Sequence, residues 1–249
     1  MARYEADRDA APGDDPLRAQ VLALRVDATT RLARAAQMEQ RGDLAGALAE
    51  HLAALEEEPD FAQAHINLIS LYAQTGDKAK AREHGEKALA IAPERAELHY
   101  NLGVLEVAEG RISQAEKEFR KAVELNPNYA AAMTNLGQML EARQKYGEAA
   151  ELYRKAVAAQ PDYPLARFHL GRMLLAQDKA ADAAEQFRIA LQPETPQTAE
   201  IWMGMAAALA RQGRRGDARR AAERAKELAL RYGRQELASA VDRELELLR

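Results

Sequence analysis

The sequence predicts an all-α fold built from a repeated unit, and three observations carry that reading. Ala, Leu, Glu, Arg, Lys and Gln dominate the composition and are the strongest helix formers, whereas the β-branched and aromatic residues that strands prefer are scarce. Aromatics make up 5% of the 249 residues. The second observation is a period. Pro59, Pro93, Pro127 and Pro161 lie 34 residues apart, as do Leu68, Leu102, Leu136 and Leu170. Two alanine columns keep the same spacing: Ala81, Ala115, Ala149 and Ala183, then Ala88, Ala122, Ala156 and Ala190. Self-similarity over 20–50 residues is the signature of stacked repeats. The third is what is missing: the longest apolar run, 201–210, is ten residues, and a bilayer-spanning helix needs about 20.

Within this period the segment AELHYNLGVLEVAEGRISQAEKEFRKAVELNPN, residues 96–128, carries Leu102-Gly103, a turn glycine at Gly110, then Ala115, Phe119, Ala122 and Pro127. With these residues in this order the chain resembles the tetratricopeptide repeat family, whose unit is a pair of antiparallel helices in about 34 residues. The resemblance implies a right-handed α-solenoid, a superhelix of about six units. Its first helices would line a concave face, and a C-terminal capping helix would close the end. Prolonging the register places units at about 28–61, 62–95, 96–129, 130–163, 164–195 and 199–232. The first unit departs from the pattern with Arg34-Ala35 in place of Leu-Gly, and the last lacks the closing proline.

The elements follow in order. Residues 1–15 are charged and carry no core pattern, so a flexible N-terminal segment is expected. Asp14-Asp15-Pro16 resembles a cap followed by proline in the first turn; no Gly or Pro then interrupts the chain up to Gln40. The solenoid is expected over 16–232, with its first helix extended from about residue 16. In Gly42-Asp43 and Gly76-Asp77 the glycine ends one helix and the aspartate caps the next. Gly103, Gly137 and Gly171 are expected where the two helices of a unit cross, with Ala115, Ala149 and Ala183 facing them. Leu102, Leu136, Phe119, Tyr153 and Phe187 fill the spaces between layers. Pro193 follows Ala190 after three residues rather than five, so the second helix of unit five should end early and an irregular connection should occupy 192–199. The segment 233–249 places Leu237, Val241, Leu245 and Leu248 at helical spacing, as a terminal cap requires.

Catalytic signals are weak. The absence of cysteine excludes disulfides and thiolate chemistry. There is no phosphate-binding loop, dinucleotide fingerprint or HExxH, and Ser70, Ser113 and Ser239 sit in no nucleophile elbow. His65 and His99 share a repeat position, but the equivalents Arg31, Met133 and Arg167 complete no ligand set, so the pair reads as buried packing. No cofactor, no metal and no enzymatic activity are expected. With 35 basic against 39 acidic side chains the net charge is −4, too small for bulk attraction to nucleic acid or membrane, so neither is expected as a partner. The one basic cluster, Arg211, Arg214, Arg215, Arg219, Arg220 and Arg224, is diluted by Asp217, Glu223 and Glu227 and reads as solvated surface. The chain has no secretory signal pattern, which points to the cytoplasm by default and to the periplasm if such a segment has been removed. The Ala- and Arg-rich composition fits a GC-rich bacterial genome.

The functional expectation is a non-enzymatic scaffold that binds a peptide segment of a protein partner. Asn67, Asn101 and Asn135 each precede the repeated leucine, and the row resembles the asparagine ladder of the tetratricopeptide segment of O-linked N-acetylglucosamine transferase. A primary amide offers donor and acceptor together, which suits a peptide backbone; bonding to neighbouring helices is the alternative role. His169 takes this position in unit five. Ile66, Tyr100, Val104, Gln138, Glu141, Phe168 and Arg172 complete the expected groove. The residues at the corresponding places argue against a dicarboxylate clamp, which needs lysines there. Two other readings are an accessory module of a larger enzyme, secretion or envelope complex, and a self-assembling homo-oligomer.

Overall fold

The computed structural model describes residues 16–192 and 194–248, among which there are thirteen α-helices and no strand. The expected N-terminal flexible segment, 1–15, lies outside the described residues. The chain divides into two compact units, Met1–Glu118 and Phe119–Arg249. The first holds α1 (Pro16–Gln40), α2 (Leu44–Glu57), α3 (Ala62–Thr75), α4 (Lys78–Ile91) and α5 (Ala96–Ala108). Helix α6 (Ile112–Leu125) crosses the division. The second holds α7 (Ala130–Ala142), α8 (Tyr146–Ala159), α9 (Pro164–Ala176), α10 (Ala180–Ala190), α11 (Thr198–Arg211), α12 (Arg215–Arg231) and α13 (Gln235–Leu247).

Consecutive helices pack as hairpins: α1 on α2 and α3 on α4 in the first unit, then α7 on α8, α9 on α10 and α11 on α12 in the second. The periodic alanines explain how they approach. Ala47, Ala54, Ala81 and Ala88 in the first unit are fully buried, as are Ala149, Ala156, Ala183 and Ala190 in the second. An alanine at a helix contact lets axes come close at little cost in side-chain entropy.

The glycines of the first helices meet aromatic rings. A Cβ at Gly137 would lie 2.6 Å from the Tyr153 ring, and one at Gly171 would lie 2.6 Å from the Phe187 ring. Phe187 also abuts Gly204 of the next hairpin, where a Cβ would come within 2.7 Å. The missing side chain on the first helix therefore makes room for an aromatic ring of the second helix. Phe187 is fully buried between two glycine notches.

Turn chemistry sets the hairpin angle. Gly42 and Gly76 adopt φ of 77° and 88°, a left-handed conformation that costs a residue with a Cβ about 1–2 kcal/mol. The Asp43 and Asp77 carboxylates that follow accept from the Gly46 and Lys80 backbone N–H groups, at 2.9 and 3.1 Å. One and two periods after Gly110 the same backbone position is held by Gln144 and Asp178, at φ of 61° and 60°. There the next helices start without a side-chain cap, behind Lys145 and Lys179. Helix α10 has 11 residues against 14 in α8, in line with the early stop expected near Pro193. Pro193 itself lies outside the described residues. The connection re-enters helix through Thr198, whose hydroxyl accepts from the Thr195 N–H at 2.7 Å.

Candidate functional site

A recurring lock positions the first helices. Side chains 19 residues apart meet within four hairpins: Arg31 with Glu50, His65 with His84, His99 with Glu118, and Arg167 with Gln186. In three of these the first member also reaches back to the carbonyl of the repeated proline. His65 Nε2 lies 2.9 Å from Pro59 O and His99 Nε2 lies 2.8 Å from Pro93 O, while Arg167 donates to Pro161 O. The ring nitrogen facing a carbonyl must carry the proton. His65 Nδ1 is then the acceptor, and His84 Nδ1–H donates across 2.8 Å. Burial is the main cause that depresses both imidazoles, and it takes His84, facing a second histidine, down to about 4. Among the described residues no group of three or more His, Asp or Glu is arranged to hold a metal ion. The histidine pair is a structural hydrogen bond.

In the first unit the expected groove residues separate into surface and interior. Asn67 is half-buried on α3 and accepts from Gln63 Nε2 at 2.9 Å; Gln63 in turn accepts from Arg95 at 2.5 Å. Asn101 on α5 donates its amide to Ile66 O at 2.9 Å. One hydrogen bond of each asparagine is thus spent within the protein, that of Asn101 on the neighbouring helix α3 of the preceding repeat, which leaves the Asn67 N–H₂ and the Asn101 carbonyl oxygen as donor and acceptor. Tyr100 and Val104 are half-buried on α5. Ile66 is fully buried, its side chain in a core with Leu68, Ile69, Leu98 and Leu105, so it reaches this face only through its carbonyl.

The second unit brings most of its expected residues together. Gln138 and Glu141 on α7 and His169 and Arg172 on α9 line one depression of about 850 Å³, with Tyr146 and Met173 at its edge. At its centre Glu141 accepts from the Tyr153 hydroxyl at 3.0 Å and from Arg172 at 2.7 Å. His169 is buried, its Nε2 3.0 Å from Gln138 Nε2 and its Nδ1 3.5 Å from Glu141. Arg172 Nη1 also lies 3.4 Å from His169 Nδ1. Burial takes this imidazole down to about 4 and pushes the Tyr153 phenol up. The His169 ring stacks on Tyr153 with centroids 5.0 Å apart, and Phe168 meets it edge-on at 5.3 Å. Arg172 lies 5.8 Å from the Phe168 ring centre, its side chain 44% exposed. Asn135, half-buried on α7, is not among the residues lining this depression.

On sequence alone Tyr153 is a layer-filling residue and nothing more. A signal for its second role is present: in the column Phe119, Tyr153, Phe187 it alone carries a hydroxyl, which when buried needs a partner. Chemically the depression offers a fixed amide, a neutralised carboxylate, an accessible guanidinium and apolar ring faces, but no activated nucleophile.

A family model described as the tetratricopeptide repeat matches residues 30–96, 100–164, 144–199 and 168–230. No curated protein matches the chain. Among solved structures, PilW, described as a widely conserved type IV pilus biogenesis factor, is 23% identical, with a TM-score of 0.66 over 86% of this chain and 97% of its own. The protein TTC0263 of Thermus thermophilus is 23% identical, with a TM-score of 0.59 over 74% and 99%. YrrB, described as having an unusual peptide-binding site, is 21% identical, with a TM-score of 0.56 over 78% and 97%. At these identities the likeness is one of fold, an all-α helical-repeat solenoid.

Proposed function

Because the chain belongs to the tetratricopeptide repeat family, a protein-interaction scaffold, we propose that it captures an extended peptide segment of a partner on the faces of its first helices and catalyses no reaction. The observation that carries this reading is the α7–α9 depression. Its volume of about 850 Å³ lies within the range of ligand pockets, about 300–1,000 Å³. Its polar groups are held in place by one another, so they need little reordering when a ligand binds. Gln138 and Arg172 present donors to a peptide carbonyl, and Tyr146 and Met173 offer apolar contact. In the first unit Asn67 and Asn101 add one donor and one acceptor. Each such bond contributes about 0.5–1.5 kcal/mol, so apolar side chains of the ligand must supply most of the affinity. The same fold carries a peptide-binding site in YrrB. Helix α13, whose Val241 is fully buried against the core of the second unit, serves in this reading as the terminal cap.

The test is selection of a displayed random-peptide library on the full chain, followed by calorimetry of the selected peptides against two variants. Gln138→Ala/Arg172→Ala should weaken them about tenfold or more, and Asn67→Ala/Asn101→Ala/Asn135→Ala should weaken them less, with the melting temperature nearly unchanged. Unaltered affinity in both variants contradicts the proposal.

A further inference from the structure

Three arginines of the basic cluster, Arg214, Arg220 and Arg224, lie on one wall of a groove that the sequence alone does not show. Helices α10 and α12 flank α11 and leave a cleft of about 560 Å³ between them. Trp202, Met205 and Leu209 of α11 form its floor, and small alanines of α10 and α12 line the walls. Four arginines line it against two carboxylates, Glu185 and Asp217. Arg188 comes from α10, and Arg214, Arg220 and Arg224 come from the opposite wall. Asp217 is shared: Arg214 reaches it at 2.6 Å and Arg220 also donates to it, so two guanidiniums face one carboxylate. The Arg188 and Arg220 side chains are 64% and 74% exposed. The sequence hid this because the aromatic floor comes from α11 and the fourth arginine from α10, not from the basic helix itself.

We propose that this cleft binds an acidic peptide segment in which carboxylates flank one aromatic or branched aliphatic side chain. The apolar side chain sits on the Trp202–Leu209 floor, and the carboxylates engage Arg188 and Arg220 from opposite walls. Arginine forks match carboxylates in bidentate geometry. The ion pairs they now make are exposed and within one helix, worth little individually, so an incoming carboxylate displaces them cheaply. A nucleic-acid backbone fits worse. Glu185, Asp217, Glu223 and Glu227 interrupt the positive charge, and a continuous row of phosphates would meet repulsion at each. The floor is one indole wide, too short for successive bases to stack. This site shares no residue with the α7–α9 depression and does not depend on the reading given for it.

Trp202 is the sole tryptophan of the chain and therefore reports on the cleft directly. The probe is a synthetic acidic decapeptide with a central Phe-Leu pair flanked by Glu and Asp, titrated into the full chain while indole emission is followed. Its counterpart carries Gln and Asn at the acidic positions. Saturable change with the acidic peptide, weakened about tenfold in Arg188→Glu/Arg220→Glu and by added salt, supports the proposal. Unchanged binding in Gln138→Ala/Arg172→Ala also supports it, whereas loss there assigns the peptide to the first-helix face and overturns the cleft. It is equally overturned by an equal response to the uncharged peptide, or by an unaltered Kd in the charge-reversed variant. Tighter binding of a uridine dodecamer or of phosphatidylserine vesicles, or peptide-independent self-association seen by light scattering, would do the same.

Discussion

At the scale of single residues, the fold depends on where side chains are missing as much as on where they are present. Gly171 leaves the space that the Phe187 ring occupies. Gly171→Ala should therefore force the buried ring out of place and cost about 1–3 kcal/mol, read from the midpoint of urea unfolding; an unchanged midpoint would show that the notch is dispensable. The opposite sign holds at Gln144, at φ of 61°. Gln144→Gly relieves left-handed strain and should raise stability by about 1 kcal/mol in the same experiment. The repeat spacing located Gly171, but it did not reveal that a glycine faces an aromatic ring. That pairing joins residues 16 apart whose contact depends on how two helices cross.

At the scale of elements, hairpin stability rests on caps and buried hydrogen bonds that differ from repeat to repeat. Asp77→Ala should lose about 1 kcal/mol, because the Lys80 N–H loses its partner. The α3–α4 hairpin is also acid-sensitive. His65 and His84 are both held below the ordinary histidine range, His84 at about 4, chiefly by burial. Between pH ~6.5 and ~4 the unfolded chain binds protons that the folded hairpin excludes, so its stability falls as pH falls through that window. Replacing the pair, as in His65→Leu/His84→Leu, should flatten the pH dependence of the unfolding free energy, and a slope identical to wild type would refute the assignment. Helix identities and turns were legible because caps, prolines and alanine columns are local signals. The 19-residue lock was not, since its partners change chemistry from Arg–Glu to His–His to Arg–Gln and only their spacing recurs.

At the scale of the whole molecule, repetition supplies two kinds of surface. The first helices carry amides and an accessible guanidinium, and the second helices carry alternating charges beside an apolar floor. Of the expected groove residues, Gln138, Glu141, His169 and Arg172 were legible as a group because they recur on first helices. Tyr153 was not, because it arrives from the second helix, and the burial of Ile66 depends on packing that no spacing reveals. The central claim is that the first-helix face binds peptide, and side-chain amide resonances test it most directly. In an NMR titration of the full chain with a library-selected peptide, the Gln138 side-chain amide signal should shift in proportion to saturation. In Arg172→Ala the same shift should need more peptide. Shifts confined to α10–α12, or saturation that leaves the Gln138 amide unmoved in the wild-type chain, would contradict the account.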